Sequence, residues 1–157
     1  MEKIAIGCDE AAYRLKVEIM KYLDGKGIAY DDFGAAEGET VLYPDVAFKV
    51  TEAVAAGRYK RAVLVCGTGI GMCICANKVP GVRAAVCHDP FSAERARKSN
   101  NAQILCMGER VIGVELAKMI LDVWFAAEFD EKSRSMPKVA RIDEKEREWK
   151  ERGRVSG

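Results

Sequence analysis

Residues 62–78, AVLVCGTGIGMCICANK, constrain the fold more than any other stretch of the chain. An apolar run from Ala62 to Val65 has strand character and ends at Cys66. Gly67-Thr68-Gly69-Ile70-Gly71 follows, and an apolar helical segment then runs to Asn77 and Lys78. A strand that passes through glycines into a helix points free backbone N–H groups at one spot. The partial positive charge of the helix start falls there too. A cysteine at that junction is a packed apolar residue, a nucleophile or a base.

Strand and helix signals alternate along the rest of the chain. Lys3–Cys8 reads as a strand, and Tyr13–Lys26 as a helix with Leu15, Ile19, Tyr22 and Leu23 at helical spacing. Gly27 stops that helix, Ala29–Phe33 reads as a second strand, and residues 34–40 form a loop. Tyr43-Pro44-Asp45 opens a helix through Val54, with proline at a favoured position near its start. Next come a strand at Arg61–Cys66, a helix at Gly69–Lys78, a turn at Val79-Pro80-Gly81 and a strand at Val82–Cys87. A helix at Pro90–Lys98, a strand at Gln103–Met107 and a helix at Val114–Ala127 follow. After Phe129 the composition is highly charged, and Val139–Glu151 is expected to form a final helix. This order predicts an α/β fold: a five-stranded parallel sheet with helices on both faces. Ligands of such sheets bind beyond the carboxyl ends of the strands. Asp9, Glu10, Cys66, His88 and Asp89 map to that edge. The tail from Glu131 onward has few apolar residues and is expected to pack on another subunit.

A chain of 157 residues suits one compact domain with a core that needs no disulfide or metal. Its 25 basic and 24 acidic side chains nearly cancel, which argues against nucleic acid or an anionic membrane as partner. No apolar stretch is long enough to span a bilayer, and MEKIAIGCDE carries no secretory pattern, so a cytoplasmic location is expected. The six cysteines lack paired C-x-x-C spacing and His88 is the only histidine, which argues against structural zinc. All but Cys66 read as small buried hydrophobes.

Three functional readings of the glycine loop compete with the bland one, a tight turn that needs glycine only for backbone freedom. A dinucleotide fingerprint has its acidic residue in Asp89, but Met72 stands where the third glycine belongs, and the loop is on the third strand. A phosphate-binding P-loop fails because no Gly-Lys-Ser/Thr closes the glycines. The third is a cradle for an oxyanion or phosphate, built from the amides of residues 67–71 beside Cys66. A thiol at a helix start is pushed toward thiolate. Nucleophilic use wants a partner base, for which His88 is the one candidate. Proton abstraction needs only the base and donors where negative charge develops. Removing a proton alpha to a sugar carbonyl leaves an enediolate that the cradle would hold, so loop and cysteine together suit aldose–ketose isomerisation. His88 itself reads as a hydrogen-bonded structural residue, Lys78 and Arg83 as scaffold, and Trp124 and Trp149 as packing or interface anchors. The run 143–152 reads as the solvated face of a helix.

The run Cys66-Gly67-Thr68-Gly69-Ile70-Gly71, then Ala76-Asn77-Lys78 and Pro80-Gly81-Val82-Arg83-Ala84, resembles the signature of the ribose-5-phosphate isomerase B / galactose-6-phosphate isomerase family. Gly7-Cys8-Asp9, Tyr43-Pro44-Asp45, Asn100-Asn101-Ala102 and Gly108-Glu109-Arg110-Val111-Ile112-Gly113 agree in order. The resemblance implies a Rossmann-like three-layer α/β/α isomerase domain over residues 1–142, with 143–157 as a charged C-terminal helix or tail. It implies a sugar-phosphate substrate, no metal or organic cofactor, and a homodimer or homotetramer whose active sites are shared between subunits. By the same resemblance, Cys66 is the proton-abstracting base. Gly67, Gly69, Ile70 and Gly71 belong to the enediolate-holding loop, and Thr68 lies near the reacting carbons. Asp9 and Tyr43 line the substrate, and Asn100 is offered by the partner subunit. Arg110, Arg134 and Lys138 serve the phosphate.

The chain departs from the family pattern twice. Asp9-Glu10 stands where the family usually reads Asp-His, and a glutamate there repels a phosphate dianion. Ser99 stands where the family usually has the histidine that assists sugar-ring opening, and serine cannot shuttle a proton alone near neutral pH. Ribose 5-phosphate to ribulose 5-phosphate is the leading expected reaction. The alternatives are a four-carbon ketose phosphate, which is already open, a hexose phosphate of allose or galactose type, or a non-catalytic sugar-phosphate-binding subunit.

Overall fold

The computed structural model describes residues 1–155; the last two residues of the charged tail lie outside the described residues. The strands are β1 (Ile4–Cys8), β2 (Tyr30–Asp32), β3 (Ala62–Cys66), β4 (Ala84–Val86) and β5 (Ile104–Gly108). They form one parallel sheet in the order β2-β1-β3-β5-β4. The helices are α1 (Tyr13–Lys26), α2 (Tyr43–Ala55), α3 (Ile70–Lys78), α4 (Pro90–Lys98), α5 (Val114–Ala126) and α6 (Met136–Val155). This is the expected five-stranded α/β/α architecture. A 3-10 turn at Glu10–Ala12, which the hydrophobic pattern does not announce, joins β1 to α1.

Successive side chains of a strand point to opposite faces, and the core divides accordingly. Ile4, Ile6, Val63, Val65, Leu105 and Met107 pack with α1, α4 and α5, where Trp124 is fully buried. Ala5, Ala62, Leu64, Cys66, Ile104 and Cys106 pack with α2 and α3. The central strands β1, β3 and β5 are buried on both faces, which is why they read as continuous apolar runs. The outer strands are short: β2 and β4 keep three residues each of the longer runs expected from sequence. At the β4 end, Asn77 takes over the pairing, donating to the Ala84 carbonyl at 2.9 Å and accepting from the Ala84 amide at 3.0 Å.

The final helix starts three residues before the expected Val139 and runs on to Val155. It is tied to its own domain, because Asp143 pairs with Arg83 at 2.7 Å and Glu146 accepts from the Gly81 amide at 2.8 Å. Trp149 remains 62% exposed on it, with the Lys145 ammonium 5.7 Å from its ring centroid. No described helix is long and apolar enough to cross a membrane.

Candidate active site

Cys66 ends β3 at the carboxyl edge of the sheet, 5% exposed on the face covered by α2 and α3. The chain must turn sharply there to start α3 over the sheet. Gly69 makes that turn with φ at +77°, and a Cβ on it would lie 2.9 Å from the Met107 backbone, so both conformation and space demand glycine. The turn aims the Gly69 amide at the Cys66 sulfur, 3.1 Å away. The Ile70 amide donates to Thr68 Oγ1 at 3.3 Å. Gly71 and Met72 also lie in the first turn of α3, where amides have no acceptor within the helix. One cradle amide is therefore spent on the sulfur, one orients Thr68, and the helix start carries the next ones.

The end of β5 is the floor of this loop. Cys66 pairs with Gly108, the Glu109 amide donates to the Cys66 carbonyl at 3.0 Å, and the Arg110 amide to the Gly67 carbonyl at 3.0 Å. Loop and floor touch so closely that a Cβ on Gly108 would lie 2.6 Å from Thr68 Cα. Arg110 lays its guanidinium over Gly67, with Nη1 3.4 Å from where a Cβ would stand. On the other side, the Tyr43 ring covers Gly71 at a distance that leaves no room for a side chain there, 2.7 Å to a would-be Cβ.

Asp9 follows β1, the neighbour of β3, and its carboxylate accepts from the Ala11 amide at 3.1 Å. Burial, and then the charge of adjacent Glu10, raise its pKa above the ordinary carboxylate value. Glu10, which the sequence maps to the same edge of the sheet, follows Asp9 directly. Its carboxylate accepts from the Val41 amide at 3.2 Å, clamping the loop that delivers Tyr43.

The remaining expected site residues lie at the opposite edge. Helix α4 returns from the carboxyl edge of β4 to the amino edge of β5, and Ser99 ends it, its amide bonded to the Arg95 carbonyl at 2.7 Å. Asn100 is exposed, its carbonyl held by Arg83 Nε at 3.0 Å. Arg134 and Lys138 lie between two anchors at that same amino edge. Arg61, at the start of β3, grips the Trp124, Phe125 and Ala127 carbonyls and Glu128, and Arg83, at the start of β4, holds Asp143. A five-residue strand separates the two edges by roughly 13 Å, at about 3.3 Å per residue. A single chain thus unites Cys66, residues 67–71, Asp9, Tyr43 and Arg110, and sets Ser99, Asn100, Arg134 and Lys138 apart from them.

The model of the Ribose/Galactose Isomerase family matches residues 4–142. The chain belongs to this family. It is 54% identical over 143 residues to the D-erythrulose-4-phosphate isomerase of Pectobacterium atrosepticum, a match covering 90% of this chain and 93% of the relative. It is 52% identical over 142 residues to the Ribose-5-P isomerase B of Listeria innocua, covering 90% and 95%. Among solved structures, ribose-5-phosphate isomerase B of Clostridium thermocellum superposes with a TM-score of 0.89 at 46% identity, covering 94% of this chain and 99% of that one. As a member of the ribose/galactose isomerase family, the chain is an aldose–ketose isomerase.

Within this member of the family, the other thiols differ from one another. Cys8, Cys75, Cys87 and Cys106 are buried as expected. Burial pushes the Cys8 thiol up to about 11 and the Cys87 thiol up to about 12, which keeps both protonated. Cys73 is the exception: half-buried, it is lowered to about 7, chiefly by a hydrogen bond from Cys106 and further by Val86 and Asn77. Nothing in the one-dimensional pattern separates it from its neighbours. His88 has the structural role expected of it, with Nε2 accepting the Gly108 amide at 3.0 Å. Glu109, to which the sequence assigns no role of its own, accepts from the Leu15 amide at 3.1 Å through its carboxylate and caps the start of α1. A carboxylate directly after a strand beside a helix start is the signal that would have found it. Among the described residues, no group of three or more His, Cys, Asp or Glu is placed to hold a metal ion.

Proposed function

We propose that this isomerase interconverts D-erythrulose 4-phosphate and D-erythrose 4-phosphate. The observation that carries this reading is Ser99, where the family's ring-opening histidine usually stands. A four-carbon sugar bearing phosphate on O4 has no hydroxyl left to close a five-membered ring, so neither isomer needs a ring-opening acid or base. Glu10 does not oppose this reading, because its carboxylate is turned to the Val41 amide at 3.2 Å. The name of the relative at 54% identity agrees.

In the proposed reaction Cys66, as thiolate, removes a proton from C1 of the ketose. The electron pair forms the C1–C2 enediolate, whose negative oxygen meets the amides at the start of α3. The proton returns to C2 while the O1 hydroxyl proton passes to O2 through Asp9 or water. Atoms and electrons balance, and no redox partner is needed. Arg110, laid over Gly67, neutralises charge at the phosphate end.

The complete site needs a second copy of the chain. Ser99, Asn100, Arg134 and Lys138 lie at the edge of the sheet away from Cys66, and a two-fold dimer that apposes unlike edges brings each set to its complement. The apolar rim of the Cys66 half-site, Leu42, Ile70 and Ile74, is 55–70% exposed in one chain and supplies surface for such a contact.

The test is turnover in heavy water across four-, five- and six-carbon aldose and ketose phosphates. Erythrulose 4-phosphate should give the highest kcat/KM with deuterium at C2 of the product, and Cys66→Ala should lose exchange by about three orders of magnitude or more. Full exchange in that variant refutes the base. Ribose 5-phosphate is the second reading, favoured by the intact Cys66 loop and by the name of the relative at 52% identity; a higher kcat/KM for the pentose selects it.

A further inference from the structure

We propose that His88 is a positioning residue for catalysis, acting through the end of β5 on the loop that carries Cys66. The inference rests on the isomerase reading of that loop and adds a residue to it. Strands β4 and β5 exchange their last backbone rung where the Cys87 amide meets the Cys106 carbonyl at 3.1 Å. The chain after β4 then turns away, with Asp89 capping α4 by accepting from the Ser92 amide at 2.7 Å. No β4 carbonyl is left for the Gly108 amide. The His88 imidazole takes that place, Nε2 accepting from Gly108 at 3.0 Å.

Nε2 as acceptor fixes the tautomer: the ring is neutral and its proton sits on Nδ1. The lone pair that would take a proton from Cys66 or from a sugar hydroxyl is already occupied. His88 is thus neither the partner base of a nucleophilic cysteine nor a stand-in for the ring-opening histidine. Its effect is on geometry. Gly108 is buried, and the Thr68 backbone rests on it with no room for a Cβ. The next two amides, Glu109 and Arg110, hold the Cys66 and Gly67 carbonyls at 3.0 Å each. One imidazole therefore fixes the strand end against which base, cradle and Arg110 are all registered.

Three variants and one spectrum test this. His88→Ala removes the acceptor, His88→Leu fills the space without one, and His88→Gln returns a carbonyl oxygen at about the Nε2 position. Removing the acceptor should lower kcat/KM about tenfold to a hundredfold in the Ala and Leu variants, as expected for a small misplacement of reacting groups. His88→Gln should recover to within about threefold of wild type. A role in filling space alone predicts the reverse order, with Leu active and Gln impaired. In the wild-type protein, NMR should detect coupling across the hydrogen bond between the Gly108 amide nitrogen and His88 Nε2, whatever the variants' folding. Equal activity of His88→Ala and wild type, or absence of that coupling, overturns the proposal. Wild-type protein that exchanges no sugar-phosphate proton overturns the isomerase reading instead.

Discussion

Gly71→Ala separates what stabilises α3 from what shapes the site. Gly71 lies in the first turn of the helix with no positive φ, so alanine fits its backbone. Alanine is favoured over glycine in helix interiors by about 0.8–1 kcal/mol, and somewhat less is expected in a first turn. The new Cβ would stand 2.7 Å from Cε2 and Cζ of Tyr43, where ordinary carbon contacts are about 3.7 Å, so the ring must retreat by roughly 1 Å. Tyr43 can do so because it is 41% exposed and only its far end is struck. The helix gain and the cost of moving the ring then nearly cancel. The melting temperature should change by no more than about 3 °C. A misplacement of 1 Å in a group that orients substrate costs up to about a hundredfold in rate, so kcat/KM should fall by about 10- to 100-fold. Melting by circular dichroism beside steady-state isomerisation measures both. Wild-type kcat/KM in a folded Gly71→Ala protein would show that Tyr43 does not meet the substrate. Gly108→Ala is the contrasting control, since its Cβ meets Thr68 backbone at 2.6 Å and should destabilise the fold by about 1–3 kcal/mol.

Other outcomes follow from the same geometry. For the proposed two-fold dimer, Cys66→Ala and Asn100→Ala should each be nearly inactive, and an equal mixture after subunit exchange should regain about a quarter of wild-type activity, because each mixed dimer would have one intact site; no recovery would place both residues in one subunit's site. Alkylation at pH 7.5 followed by peptide mapping should label Cys73, lowered to about 7, ahead of Cys8 and Cys87, held at about 11 and about 12. Burial lowers the His88 pKa, so its contribution to stability is complete above the unfolded value of about 6.5 and is lost as pH falls through the lower folded value. Wild type should therefore lose more melting temperature than His88→Gln between pH 6.5 and 5; parallel profiles would contradict the half-buried neutral ring.

Much of this was legible in one dimension because parallel α/β folds write their elements plainly. Strands buried on two faces appear as unbroken apolar runs, as in Ile4–Cys8 and Ala62–Cys66, and helices between them show one apolar face. The glycines around Cys66 announced a tight strand-to-helix turn, and the family signature gave its chemistry a name. Edge elements were less legible. The short strands β2 and β4 shed residues at their ends because few neighbours fix them, and α6 gained a turn at each end because its charged composition carries little periodic signal.

The sequence by itself determined the α/β alternation and the Cys66 turn, and it placed Glu10 beside Asp9 and Ser99 beside Asn100, since each depends on residues close together in the chain. Tertiary structure alone decided the rest: the Glu10 clamp on Val41, the His88 bond to Gly108, the lowered thiol of Cys73, and the split of expected site residues between two edges of the sheet. Those contacts join positions 20 to 33 residues apart, or depend on which strand lies beside which. The strand order β2-β1-β3-β5-β4 sets them, by putting β5, rather than the next strand in sequence, under the Cys66 loop.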